Sequence, residues 1–142
     1  MAEVSKKQLE EIARVCLEAR KNAYAPYSHF AVGAALLCSD GTIFPGCNVE
    51  NASFGATNCA ERTAVFQAIS NGKRDFLAIA IAGGTDGYEP KDYVFPCGVC
   101  RQVLREFCDR DFLVCMVRSM DDRKVFRLEE LLPHGFGGDD FL

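Results

Sequence analysis

Apolar residues recur at helical spacing through Leu9, Ile12, Ala13, Cys16 and Leu17, behind a Ser5-Lys6-Lys7-Gln8 capping box. This pattern predicts a first helix from about Lys6 to Lys21 or Asn22, with Pro26 as its stop. Phe30 to Cys38 is an apolar run whose length and Asp40-Gly41 ending favour a strand, and Thr42 to Cys47 then returns as the second arm of a hairpin. A second helix opens at Cys59 and runs to about Asn71, stopped by Gly72. Ala60, Thr63, Ala64 and Ala68 leave it slim enough to pack closely on a sheet. Leu77 to Ala82 is an almost wholly apolar strand of the kind buried on both faces, followed by a loop from Gly83 to Phe95 that borders a pocket. Pro96 suits the first turn of a third helix that continues to about Cys108, with Val103, Leu104 and Phe107 inward. Phe112 to Val117 reads as a strand, Met120 to Arg123 as a turn, Lys124 to Phe126 as a short last strand, and Leu128 to Leu132 as a brief helix ended by Pro133.

Strands separated by two helices require parallel crossovers. The expected fold class is therefore α/β, with a mixed sheet of about five strands, an antiparallel hairpin joined to parallel strands, and helices on both faces. One domain is expected over residues 1–142. The tail, residues 133–142, is rich in glycine yet keeps Phe136 and Phe141, and is expected to dock on a neighbouring subunit.

Composition narrows the class of function. Apolar residues at 49% and charged residues at 25% are ordinary for a globular chain. A net charge of −4 disfavours a broad basic surface for polyanionic nucleic acid, so a small substrate is expected. Met1 to Lys7 is polar with no apolar leader, and no run approaches a membrane span. The expected location is the cytoplasm, where the eight cysteines would stay reduced.

Two short stretches then carry the chemistry: Cys59-Ala60-Glu61-Arg62 and Pro96-Cys97-Gly98-Val99-Cys100-Arg101-Gln102. Three thiolates are one ligand short of a closed structural zinc, which leaves the fourth position to a water made acidic by the metal. Glu61 follows Cys59 by two residues, too close to be a natural fourth ligand but within reach of that water, and reads as the proton carrier. Both elements begin helices, whose free N–H groups and dipoles favour thiolate. Zinc with three thiolates carries a net negative charge; Arg62 is the cation best placed to offset it, with Arg101 second. Cys16, Cys38, Cys47, Cys108 and Cys115 are expected to be small buried hydrophobes.

Other readings compete. Cys97-Gly98-Val99-Cys100 alone also matches a thioredoxin-like redox pair, but such a pair has no use for a third thiol followed by Ala-Glu 38 residues earlier. A four-ligand structural zinc lacks a fourth Cys or His near either stretch, and His29 and His134 read as surface or turn residues. In an extended Asn48-Val49-Glu50, Asn48 and Glu50 share a face, an amide and a carboxylate that suit a pair of sugar hydroxyls; equally, Asn48 and Asn51 could only cap turns.

The spacing matches the signature of zinc-dependent deaminases, in which a Cys or His ligand, x and Glu precede Pro-Cys-x-x-Cys. Nearly the full chain resembles the small homotetrameric cytidine deaminases, through Tyr27-Ser28-x-Phe30-x-Val32-Gly33-Ala34-Ala35, Gly46-Cys47-Asn48-x-Glu50-Asn51-Ala52, the two cysteine stretches and Leu131-Leu132-Pro133-x-x-Phe136-Gly137. The resemblance implies a three-layer α/β/α fold, one zinc per subunit on Cys59, Cys97 and Cys100, and Glu61 as acid and base. It further implies that Asn48 and Glu50 hold the ribose, Phe30 packs on the nucleoside, the Ala60 N–H meets the base carbonyl and the Phe95 carbonyl accepts from the amino group. Phe136 and Phe54 would reach base or sugar from another subunit of a homotetramer, and Phe54 stands where relatives often carry Tyr. The implied reaction is hydrolytic deamination of cytidine and deoxycytidine in pyrimidine salvage; the alternative is deamination of another small aminopyrimidine or nucleoside analogue on the same fold.

Overall fold

A computed structural model describes residues 3–142; Met1 and Ala2, the start of the polar N-terminal stretch, lie outside the described residues. Helix α1 (Lys6–Ala19) begins with the expected capping box, in which the Ser5 side chain accepts from the Gln8 N–H and Gln8 accepts from the Ser5 N–H, and it tightens into a 3₁₀ turn over Arg20–Asn22. Strands β1 (Phe30–Cys38) and β2 (Ile43–Cys47) form the antiparallel hairpin. Helix α2 (Ala60–Ser70) follows, then β3 (Phe76–Thr85), α3 (Gly98–Phe107), β4 (Leu113–Ser119), β5 (Asp122–Arg127) and the short α4 (Leu128–Leu131).

The five strands lie in the order β2-β1-β3-β4-β5. β1 pairs antiparallel with β2 and β3, β3 parallel with β4, and β4 antiparallel with β5. Both helical connections therefore join parallel strands, as the sequence predicts. The first, through α2, links β2 to β3 across the intervening β1, so that only β3 and β4 are parallel neighbours.

Alternation along the central strands divides the core between two faces. Ala34, Leu36, Cys38, Ile79, Ile81, Val114 and Met116 face α2, α3 and α4. Ala35, Leu37, Ala78, Ala80, Ala82, Cys115 and Val117 face α1 through Ile12, Ala13 and Cys16. The result is three layers, helix, sheet and helix, with nearly every residue of β3 buried.

The small residues of α2 have the expected use. A Cβ on Gly46 would lie 2.4 Å from the Ala60 carbonyl oxygen and 2.6 Å from the Ala64 nitrogen, so β2 touches the backbone of the first turn of α2. Gly72 ends this helix at a positive φ of 84° in a Schellman motif, with its N–H bonded to the Ile69 carbonyl and that of Lys73 to the Ala68 carbonyl. Cys16, Cys38, Cys108 and Cys115 are buried free thiols, whereas Cys47 is only half-buried.

Pro96 precedes the Cys97 cap of α3 instead of entering its first turn, β4 runs on to Ser119, and two further boundaries differ for a physical reason. β3 runs on through Gly83 and Gly84 to Thr85, residues expected in a loop. A Cβ on Gly83 would stand 2.9 Å from Val94 Cγ2 and one on Gly84 3.1 Å from Pro90 Cα, so glycine serves here to let the 86–97 segment lie against the strand. β5 begins at Asp122 instead of Lys124, because its charged start sits on an exposed sheet edge where no apolar pattern is needed.

Candidate active site

Cys59 is the N-cap of α2 and Cys97 the N-cap of α3. The Cys59 side chain makes no cap bond to its own helix, and its sulfur stands 3.8 Å from that of Cys97. Cys97 Sγ accepts from the Cys100 N–H at 3.5 Å. The sulfurs of Cys59, Cys97 and Cys100 all lie within 4.8 Å of one another, the one such metal-capable group among the described residues. Zinc bound tetrahedrally by sulfur at about 2.3 Å sets its ligands about 3.8 Å apart, so these side chains fit the ion.

The thiols are electrostatically coupled. A hydrogen bond from the Cys100 thiol, aided by the Arg62 guanidinium, holds Cys59 down at about 5. The same bond and burial push Cys100 up. Arg62 Nη2 donates to Cys59 Sγ at 3.2 Å, and its Nε is buried with no hydrogen-bond partner. Arg101 lies elsewhere: Nε donates to the Pro96 carbonyl at 2.7 Å and Nη1 to that of Leu131 at 2.6 Å. It anchors the turn that carries Cys97 and Cys100, and its guanidinium bonds go to carbonyls and not to a sulfur.

Glu61, in the first turn of α2, is 5% exposed. Burial pushes its carboxyl up to about 7, and the negative Cys59 beside it adds to the rise. A group titrating near neutrality can both take and give a proton. Ala60 is buried at the first helical position, where its N–H has no partner within the helix. Thr63, which the sequence reading used only for its size, ties this turn down: its hydroxyl donates to the Cys47 carbonyl at 2.9 Å, with the Cys59 carbonyl an alternative acceptor at 3.2 Å.

The Asn48-Val49-Glu50 segment is extended, bridged to Tyr24 on one side and Asn58 on the other. Asn48 is buried and braces the start of β1, its Oδ1 accepting from the Val32 N–H at 2.9 Å and its Nδ2 donating to the Phe30 carbonyl at 2.8 Å. One lone pair and one amide hydrogen stay available. The turn-capping role falls to Asn51, which accepts from the Ser53 N–H.

Glu50 Oε1 accepts from the N–H groups of Tyr27 and Ser28, and Oε2 from the Ser28 hydroxyl, which holds the carboxylate below its usual range. The Tyr27-Ser28 pair is a partner that the sequence reading missed, since it lies more than twenty positions away. A cavity of about 380 Å³ is lined by Tyr27, Ser28, Glu50, Phe54 and Thr57. The Phe54 ring meets Tyr27 edge-on at 5.8 Å and the Phe95 ring meets Phe126 at 5.7 Å. Phe30, Phe54, Phe95 and Phe136 all keep large exposed areas. Among the described residues, His29 and His134 are the two non-glycine residues with positive φ, and neither joins the sulfur group.

The family profile of the cytidine and deoxycytidylate deaminase zinc-binding region matches residues 6–116. A cytidine deaminase of Sporosarcina psychrophila is 46% identical over 132 residues, 93% of each chain. One of Halalkalibacterium halodurans is 47% identical over 129 residues, 91% of this chain and 94% of its own. The crystal structure of cytidine deaminase from Burkholderia pseudomallei superposes with a TM-score of 0.81 at 45% identity, covering 89% of this chain and 97% of that one. The matched region holds all three clustered cysteines and the buried Glu61, and the chain belongs to the cytidine and deoxycytidylate deaminase family.

Proposed function

We propose that the protein catalyses the hydrolytic deamination of cytidine and deoxycytidine to uridine and deoxyuridine with release of ammonia, using one zinc ion per chain held by Cys59, Cys97 and Cys100. The observation that carries this reading is the set of three sulfurs within 4.8 Å of one another, with the buried carboxyl of Glu61 in the helical turn that Cys59 caps. Relatives over nine-tenths of the chain bear the name of that activity.

Zinc at this site supplies a Lewis acid that makes water nucleophilic near neutral pH. Glu61 takes a proton from the attacking water and delivers it to N3 of the cytosine ring, which leaves C4 electrophilic. The hydroxide left by that transfer adds at C4, and Glu61 then carries its remaining proton to the departing amino group, so that one water is consumed and one ammonia released. Arg62 offsets the negative charge of the thiolates. The Ala60 N–H meets the base carbonyl and the Phe95 carbonyl accepts from the amino group. Phe30 packs on the nucleoside, while Asn48 and Glu50 hold the ribose with their remaining hydrogen-bonding capacity.

The exposed Phe54 and Phe136 rings belong, on this reading, to a homotetramer whose subunits complete one another's pockets. Among the described residues no helix is long and apolar enough to cross a membrane. The proposed setting is pyrimidine salvage in the cytoplasm, with no nucleic-acid partner.

Substrate choice tests the ribose assignment. Cytidine and deoxycytidine should be turned over at least about tenfold better in kcat/KM than free cytosine, since a bond between a charged group and a hydroxyl is worth roughly that factor or more. Equal turnover of free cytosine would contradict the roles of Asn48 and Glu50.

A further inference from the structure

We propose that Gln102 and Arg105 are positioning residues for Phe136: they clamp the backbone of the C-terminal tail onto α3, the helix that begins at Cys97 and Cys100, and thereby fix where the Phe136 ring stands. The proposal rests on the reading that Phe136 closes over the nucleoside.

Gln102, Arg105 and Glu106 stand three and four positions apart, so they share one face of α3. The tail lies along that face. Gln102 Nε2 donates to the Phe136 carbonyl at 3.0 Å. Arg105 Nη2 donates to both carboxylate oxygens of Asp139, at 3.0 and 3.1 Å. The tail then folds on itself, with the Gly137 N–H donating to Asp140 Oδ2 at 2.8 Å and the Asp140 N–H to the Gly137 carbonyl at 3.0 Å.

The glycines lie close against the side-chain ends of α3. A Cβ on Gly137 would stand 2.7 Å from Arg105 Nη1, and one on Gly138 2.8 Å from Glu106 Oε2. A larger residue at either place would push the Arg105 or Glu106 side-chain end out of its present position. Arg105 is buried while its partner Asp139 remains exposed, so the guanidinium sits under the tail. Against this held backbone Phe136 is 59% exposed, and its ring meets that of Phe141 edge-on with centroids 6.1 Å apart.

The combination of a tethered backbone and a free aromatic ring is what a preorganised contact requires. A tail with three glycines within four positions has much conformational freedom to lose on binding, and the clamp removes that cost in advance. Asp139 is exposed, and an amide in its place still offers one oxygen to the buried Arg105, so Asp139→Asn loses the charge of the ion pair without leaving the guanidinium unpartnered. Loosening the clamp should therefore weaken substrate binding without unfolding the protein or releasing its metal.

The test is steady-state kinetics on cytidine with zinc content and thermal midpoint measured on the same zinc-loaded samples. Asp139→Asn and Gln102→Leu are each expected to raise KM by about three- to tenfold, the factor expected from one lost hydrogen bond, with kcat, zinc and midpoint close to the parent. In a Phe136→Ala background, which raises KM by itself, Asp139→Asn should add nothing further, as coupled residues require. A raised KM in Phe136→Ala with parental values in both clamp variants would overturn the clamp and leave the Phe136 reading intact. Additive effects in the double variant would also overturn it, since the clamp would then act by another route. An unchanged KM in Phe136→Ala would remove the Phe136 reading, and the proposal with it.

Discussion

Glu61→Gln is expected to lower kcat by about 10²- to 10⁴-fold while the protein keeps its zinc, the range typical of losing one general acid and base. The amide is nearly isosteric with the carboxyl, so the buried space on α2 stays filled and the sulfur cluster undisturbed. Both proton transfers in the proposed reaction pass through this one carboxyl, and glutamine can perform neither. Binding should suffer far less than turnover. Kinetics and zinc content measured together distinguish this from collapse of the site: a zinc-loaded Glu61→Gln protein with near-parental kcat would remove Glu61 from the chemistry.

The second large effect concerns the metal. Cys97→Ala should cost the site at least about a hundredfold in zinc affinity, because loss of an outer hydrogen-bonding partner alone typically costs up to that much and Cys97 is itself a ligand. Its sulfur also accepts the Cys100 N–H, so its removal frees the turn that sets the Cys100 side chain. Turnover should fall in step with zinc occupancy. The fold should persist, because the cores on both faces of the sheet are built from α1, α2, α3 and the central strands without Cys97. Competition with a zinc chelator, followed by far-ultraviolet dichroism, checks both halves. Unchanged affinity would assign the metal to other ligands.

The sulfur ligands were legible because the chemistry needs specific residue types at short spacing, and each half of the site lies within a few residues of one helix start. Local signals were equally readable: the Ser5 capping box, the Gly72 stop and the Asp40-Gly41 hairpin all report interactions within a few positions. What the sequence hid is non-local. Gly83 and Gly84 looked like loop because glycine is poor in strands, yet they are glycine so that Val94 and Pro90 can approach.

The position of β1 between β2 and β3 depends on pairing that no single stretch encodes. The partners of Glu50 at Tyr27 and Ser28, and that of Arg105 at Asp139, join residues 22 to 34 positions apart. Arg62 and Arg101 illustrate the same limit. Each follows a motif residue directly, but only Arg62 turns to a sulfur, while Arg101 reaches the Pro96 and Leu131 carbonyls.

The most direct measurement is turnover of cytidine against zinc bound per chain, on one chelator-treated sample as zinc is added back. Activity should rise in proportion to bound zinc and level off at about one ion per chain, the stoichiometry of a site with three thiolates and one open position. Full activity in the zinc-free protein, or complete zinc binding with no deamination of cytidine or deoxycytidine, would contradict a zinc-dependent nucleoside deaminase built on Cys59, Cys97, Cys100 and Glu61.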